Sequence, residues 1–237
     1  MISPMSLKIN TSPKQIAKYI IVSILCIFVL VFFIRVALYE ADYYPRMEGS
    51  ERDATIANIP AEQEELIEEK PTETEVREYT VAADRPRYLT IPKLSIYNAR
   101  VLAMGVDSDG ALSTPRNIHD VGWYVDSGKP GAGKTLVIDG HNGGPRVHGV
   151  FKDLPNLNQG DIIIVERGDG IKFNYEVREN KQVALENANK EMATAMRSPV
   201  KGTESITLIT CSGEWSQTKG TFLSRQFVYA VLISQSV

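Results

Sequence analysis

Apolar positions follow two rhythms along this chain. From Tyr19 to Ile34 they run without a break: "YIIVSILCIFVLVFFI" carries no charge, and past Arg35 "VALY" is apolar again. A helix needs about 20 such residues to cross a bilayer. An arginine near the helix end can reach the head groups, so residues 19–39 are long enough to form a membrane span. The run is too long for a cleaved signal peptide, and no clear small-x-small cleavage site follows it. From about Arg87 the rhythm changes to short apolar runs: "RYLTIP", "ARVLAMGV", "TLVIDG", "DIIIVERG", "IKFNYEVRE", "SITLITC" and "FLSRQFVYAVLI". Clusters such as "DSDG", "GKPGAGK", "NGGP", "NQGD" and "RGDG" break them up, which is how strands and turns read. Helical spacing is convincing only in "NANKEMATAMR", with a shorter stretch at "GVFKDL". Many short strands with little helix predict a mainly β domain, a closed barrel or a sandwich.

Charge divides the chain into the same regions. The formal net charge of −3 conceals a basic start, an acidic middle and a mildly basic remainder. Residues 1–39 hold Lys8, Lys14, Lys18 and Arg35 and no acid, residues 40–84 carry 14 acids against 4 bases, and residues 85–237 carry 18 bases against 15 acids. Lysines before the span and acids after it put residues 1–18 in the cytoplasm and everything past residue 40 outside. The stretch "AEQEELIEEKPTETEVREY" is acidic and poor in large apolar residues, so 40–84 reads as a disordered stalk rather than a short solvated helix. It would hold a folded, extracytoplasmic domain of residues 85–237 away from the membrane.

One motif invites a different reading. "GKPGAGKT", residues 128–135, fits the phosphate-loop pattern G-x-x-x-x-G-K-[ST]. That loop works only between a strand and a helix, whose N-terminal N–H groups face the phosphates. Here "TLVID" follows, a β-branched, apolar run that "GH" and "NGG" soon end, so a strand replaces the required helix. The loop also lies outside the membrane, away from cellular ATP. A turn between strands explains its residues. Neither a nucleotide nor a nucleic acid is expected as a partner.

Candidate chemistry is sparse. Cys26 lies in the predicted span, where a small apolar side chain needs no special reason. Cys211 ends "SITLITC" and has no partner for a disulfide within the external domain. A lone thiol in an oxidising compartment is either buried and inert or used. A thiolate nucleophile usually works with a histidine. Three are present: His141 at a strand end in "DGHNGG", His119 beside an acid in "RNIHD", and His148 in the loop just after His141. His141 is the candidate, and a solvated surface position is the default for His148. In "FLSRQFVYAVL", alternation sets Arg225 on the face of Leu223, Phe227, Tyr229 and Val231. An arginine ending so apolar a row needs a partner; it is either a rim residue paired with an acid or a donor to a substrate carbonyl or oxyanion. A hairpin would set Cys211 and Arg225 side by side.

"TLITC" at 207–211, "GH" at 140–141 and Arg225 on the next strand together resemble the sortases, membrane-anchored cysteine transpeptidases of mainly Gram-positive cell surfaces. "IPKL", "VGWY" before a "KPG–G" turn, "GVFKDL" and "GDIIIV" follow the order of class F most closely, then class E. The resemblance covers about residues 87–233. It implies an eight-stranded β-barrel with one or two short helices and a defined reaction. In that reaction Cys211 would attack the Thr–Gly carbonyl of an LPxTG-type sorting signal, and an amine of a cell-wall peptide or a pilin would resolve the thioacyl enzyme. His141 would move the protons, Arg225 would hold backbone and oxyanion, and Thr210 would help shape that hole. "GHNGG" departs from class D-like relatives, which puts access past His141 in question. Glu186 and Glu191 could suggest the calcium site of some relatives, but two acids on a helix usually form a solvated face. No metal and no cofactor are expected. The expected partners are the membrane, surface proteins bearing sorting signals, and an amine acceptor. A cysteine hydrolase and a non-catalytic tethered binding domain are the alternatives.

Overall fold

The computed structural model describes residues 65–107, 110–144 and 146–236. The expected cytoplasmic segment 1–18, the expected span 19–39 and the first part of the expected stalk lie outside the described residues. Among the described residues no helix is long and apolar enough to cross a membrane.

Eight strands close into one barrel. They are β1 (Pro86–Ile91), β2 (Ile96–Met104), β3 (Val121–Tyr124), β4 (Thr135–Gly140), β5 (Ile162–Arg167), β6 (Lys172–Ala184), β7 (Ser205–Ser216) and β8 (Thr221–Ser236). Around the barrel the order is β1-β2-β3-β4-β7-β8-β6-β5, and β5 pairs back to β1. The pairs β2/β3 and β4/β7 are parallel, and the rest are antiparallel. The mainly β, closed-barrel expectation holds.

Period-2 alternation sorts β4, β7 and β8 into two faces. Leu136, Ile138, Ile206, Leu208, Val228 and Ala230 point into the barrel and are fully buried there. The alternate residues Val137, Ile209, Phe227 and Tyr229 face outward, yet they too are buried, because α2 (Leu185–Ala195) covers them with Ala195 and Met192. This is the helix predicted from "NANKEMATAMR". Burying a side chain such as Phe227 stabilises by about 1.5–3 kcal/mol relative to leaving it exposed, so the outer face of this sheet wants a cover. α2 covers only its deeper part and leaves a groove beyond.

The glycine-rich loop cradles an anion after all, but the anion belongs to the protein. Gly131 N–H and Gly133 N–H donate to the two carboxylate oxygens of Glu204 at 3.0 and 2.7 Å, and the Tyr175 hydroxyl donates to the same group at 2.7 Å. Glu204 is 5% exposed, so these donors satisfy a buried charge that would otherwise be expensive. Gly131 and Gly133 have φ of 85° and 70°, a region other residues rarely adopt. Thr135 then opens β4, not a helix.

The expected stalk is corrected over its second part. Residues 65–84 lie on the barrel. Ile67 forms a parallel bridge to Asn117, its N–H donating to Arg116 O at 3.0 Å and its carbonyl accepting from Ile118 N–H at 3.1 Å. A six-residue helix, α1 (Glu73–Glu78), follows with a full capping box: Thr72 Oγ1 accepts from Glu75 N–H, and Glu75 Oε2 accepts from Thr72 N–H at 2.7 Å. The Tyr79 hydroxyl donates to Val101 O at 2.6 Å, and Arg87 Nε donates to Tyr79 O at 2.8 Å. Acidic composition suggested solvation, but the segment is fastened by backbone bonds and tyrosines that a charge count does not register. No residue of α1 is buried.

Candidate active site

Strand register builds the groove in rows. Cys211 on β7 pairs with Arg225 on β8, Ile209 with Phe227, and Thr207 with Tyr229. Parallel to them, β4 sets Val137 against Thr207 and Asp139 against Ile209. His141 follows just past the end of β4, one side-chain step beyond the last registered pair, at the Cys211 end of the groove. Two bonds pin that end: Asn142 Nδ2 donates to Cys211 O, and Thr210 Oγ1 donates to Gly140 O, each at 2.7 Å. The outermost row is therefore His141, Cys211 and Arg225. Behind it come Asp139, Ile209 and Phe227, and then Val137, Thr207 and Tyr229. Together with Leu112, Tyr124, Met192 and Met196 the first two rows line a groove of about 670 Å³ that is polar at the Cys211 end and apolar beyond, while the third row lies under α2.

His141 is held from outside β4. Its Nε2 lies 2.8 Å from the carbonyl of Pro115 in the β2–β3 loop. A carbonyl has only lone pairs, so Nε2 carries the proton and Nδ1 is left as the acceptor. Burial lowers the imidazole's pKa, and the Pro115 bond raises it in part. Burial also pushes the Cys211 thiol up; Arg225 pulls it down and Asp139 adds to the rise. Both shifts favour uncharged resting forms, a thiol beside a neutral imidazole. The half-buried Arg225 turns back on its own hairpin: Nη1 donates to Phe222 O at 3.0 Å and Ser224 O at 2.9 Å, and Nη2 to Thr221 Oγ1 at 3.3 Å. A carbonyl or oxyanion entering beside Cys211 would compete for these donors.

The other candidates fall elsewhere. His148 is exposed in the loop after His141. The His119 ring bonds the carbonyl of Glu68 at 3.1 Å, tying down the segment that precedes α1. Thr210 is 3% exposed and its hydroxyl is engaged by Gly140, so it braces β7 against β4 instead of presenting a donor to the groove. Glu191 is taken by Lys181 at 2.8 Å and by the Tyr229 hydroxyl, while Glu186 is exposed. Among the described residues no cluster of three or more ligating side chains is found.

Sequence reasoning missed Asp139. Its carboxyl lines the groove, receives the Thr114 hydroxyl at 2.8 Å, and is pushed up to about 7 by burial. An acid inside the apolar run "TLVID" was the available signal, since a charge there must find a partner or a proton.

With the site in view, comparisons place the chain in a family. The model of the sortase domain matches residues 89–233. The chain belongs to the sortase family, cysteine transpeptidases built on a closed β-barrel. No curated protein matches it. Similar solved structures include a SrtA sortase from Actinomyces oris, 23% identical over 67% of this chain and 85% of that one, with a TM-score of 0.47. Sortase C of Streptococcus pneumoniae is 20% identical over 71% of this chain and 75% of that one, also at 0.47. Sortase A from Corynebacterium diphtheriae is 23% identical over 65% and 63%, at 0.44.

Proposed function

We propose that this chain is a membrane-anchored sortase that cleaves an LPxTG-type sorting signal between Thr and Gly and passes the acyl group to an amine. The observation that supports it best is the outermost row, where register pairs Cys211 with Arg225 and His141, just past the end of β4, joins them at the polar end of an apolar groove. Cys211 Sγ attacks the threonine carbonyl as His141 Nδ1 takes its proton. Arg225 leaves the Phe222 and Ser224 carbonyls to hold the oxyanion. Collapse breaks the Thr–Gly bond, His141 gives the proton to the leaving glycine amine, and a thioester remains. An incoming amine attacks, loses a proton to His141 and expels the thiolate, which takes that proton back. The product is a new amide and a free thiol.

The apolar stretch 19–39 and the lysines before it favour a single-pass anchor with the barrel outside the cytoplasm. The order of motifs favours class F. Surface proteins with a sorting signal, and a cell-wall peptide or pilin as amine, are the partners this reading requires. The test incubates the full-length chain in detergent with a fluorescent LPxTG-type peptide, with and without a glycine-peptide amine, and weighs the products. Joining of the two peptides supports transpeptidation. Hydrolysis alone, whatever the amine concentration, would point to a cysteine hydrolase, and a Cys211 thiol that never acylates would point to a binding domain.

A further inference from the structure

Asp139 takes no part in the reaction written above, yet it is the only acid among the described residues that line the groove. Its side chain leans over Gly122 of β3, where an added Cβ would stand 2.4 Å from Oδ1, so the neighbouring strand makes room for it. Oδ2 accepts the Thr114 hydroxyl at 2.8 Å. The next residue, Pro115, is buried, and its carbonyl takes the Nε2–H of His141, also at 2.8 Å. Proline's ring fixes φ, so little slack separates the anchored Thr114 from that carbonyl. The path leaves β4 at Asp139, crosses the β2–β3 loop, and returns to the strand end two residues later.

We propose that Asp139 is a positioning residue, which holds His141 in its Nε2–H tautomer by anchoring Thr114 and with it the Pro115 carbonyl. A free imidazole shares its proton between two nitrogens and rotates about its side chain. Fixing the proton on Nε2 leaves Nδ1 as the one acceptor for the thiol or amine proton. The anchor does not depend on the charge of Asp139, because a protonated carboxyl keeps a carbonyl oxygen to accept with. The other titratable groups among the described residues lining the groove are Tyr124 from β3, His141 just past the end of β4, Cys211 from β7 and Arg225 from β8. α2 and the described part of the β2–β3 loop contribute none.

The tautomer can be read without any substrate, by ¹⁵N NMR of histidine-labelled, full-length protein in detergent. The kinetic half of the test rests on the transpeptidase reading, and the tautomer half does not. Thr114→Val, nearly isosteric, and Asp139→Ala should each let the Nδ1–H form of His141 appear. Each should lower kcat about ten- to a hundredfold with KM little changed, the scale on which a misplaced catalytic group acts. Thr114→Ser should restore the pure Nε2–H form and the rate, and Asp139→Asn, which keeps an oxygen for the hydroxyl, should retain that form. The proposal is overturned if Thr114→Val keeps His141 purely Nε2–H and lowers only the melting temperature, or if Thr114→Ser restores nothing. Should Asp139→Ala not fold, the two Thr114 variants still decide. A chain inactive toward every sorting peptide would sink the transpeptidase reading while the NMR result stood by itself.

Discussion

On one wall of the groove, Cys211 and Arg225 face each other across a continuous antiparallel ladder. On the other wall, His141 sits just past the end of β4, held by the Pro115 carbonyl from one loop and hemmed in by a second loop that folds back on it. Both loops are in turn tied to the segment before α1: residues 116–118 pair with Ile67, and the N–H groups of Arg146 and Val147 donate to the Glu68 carboxylate at 2.8 and 3.4 Å. The first wall is therefore local, its geometry set by one hairpin. The second is assembled from three stretches of chain far apart in sequence. Substitutions on the hairpin wall should strike the chemistry and spare its neighbours. Those on the loop wall should loosen geometry by degrees.

The largest effects are expected on the hairpin wall. Cys211→Ala should take acyl-enzyme formation, followed by mass spectrometry, to background while circular dichroism keeps the β signature. Arg225→Lys keeps a positive charge but loses the planar fork of donors. If the guanidinium acts on the oxyanion, kcat should fall by about 10²–10³ with KM nearly unchanged. A rise in KM with kcat intact would assign it to the ground-state peptide. Near-normal turnover in both Arg225→Lys and Arg225→Ala would leave it a rim residue that does no more than hydrogen-bond its own hairpin.

The same division explains what the sequence revealed. Cys211, Arg225 and the covering helix lie on elements whose spacing carries their geometry: alternation places Arg225 on the face of Phe227 and Tyr229, and one hairpin brings it to Cys211. His141 was legible as a strand-end residue, but its partner Pro115 lies 26 positions earlier, and no periodicity links the two. Asp139 was passed over because an acid in an apolar run has meaning only once its partner is known. The segment 65–84 was misjudged because charge was weighed above local chemistry. "TETE" at 72–75 holds the Thr-x-x-Glu of a capping box, and its acids complete the box and start a helix. The phosphate-loop pattern could be rejected from context, but its actual anion, Glu204, lies some 70 residues away.

Asp139 offers a pH test of the loop wall. Its carboxyl titrates at about 7 in the fold, against an ordinary 3.8. Between those values the folded protein holds a proton that the unfolded chain has released, so stability falls as pH rises. The contribution of this group is fully present below about pH 4 and is lost as the pH passes through about 7. Asp139→Asn carries no such proton. Its unfolding free energy relative to the wild type, followed by denaturant titration at each pH, should climb across that window and level off above it, by an amount on the order of a few kcal/mol at most. A difference that stays flat with pH would mean that the carboxyl is solvated and ionised throughout.

The smallest effect, and the one that separates the walls most finely, belongs to Glu68. Its carboxylate meets Arg146 in two ways: through the backbone N–H at 2.8 Å and through the guanidinium Nε at 3.5 Å. The Arg146 side chain is 81% exposed, so that ion pair is screened and worth little. The backbone bonds are different, since they fasten the loop after His141 to a segment that also grips the β2–β3 loop. Arg146→Ala should therefore change nothing measurable, while Glu68→Ala should speed amide exchange at residues 146 and 147 and lower kcat by about two- to tenfold. Loss of activity in Arg146→Ala equal to that in Glu68→Ala would show that the side chains, not the backbone, carry the clamp. Unchanged kcat in both would separate the two walls completely, leaving the segment before α1 attached to the barrel but without influence on His141.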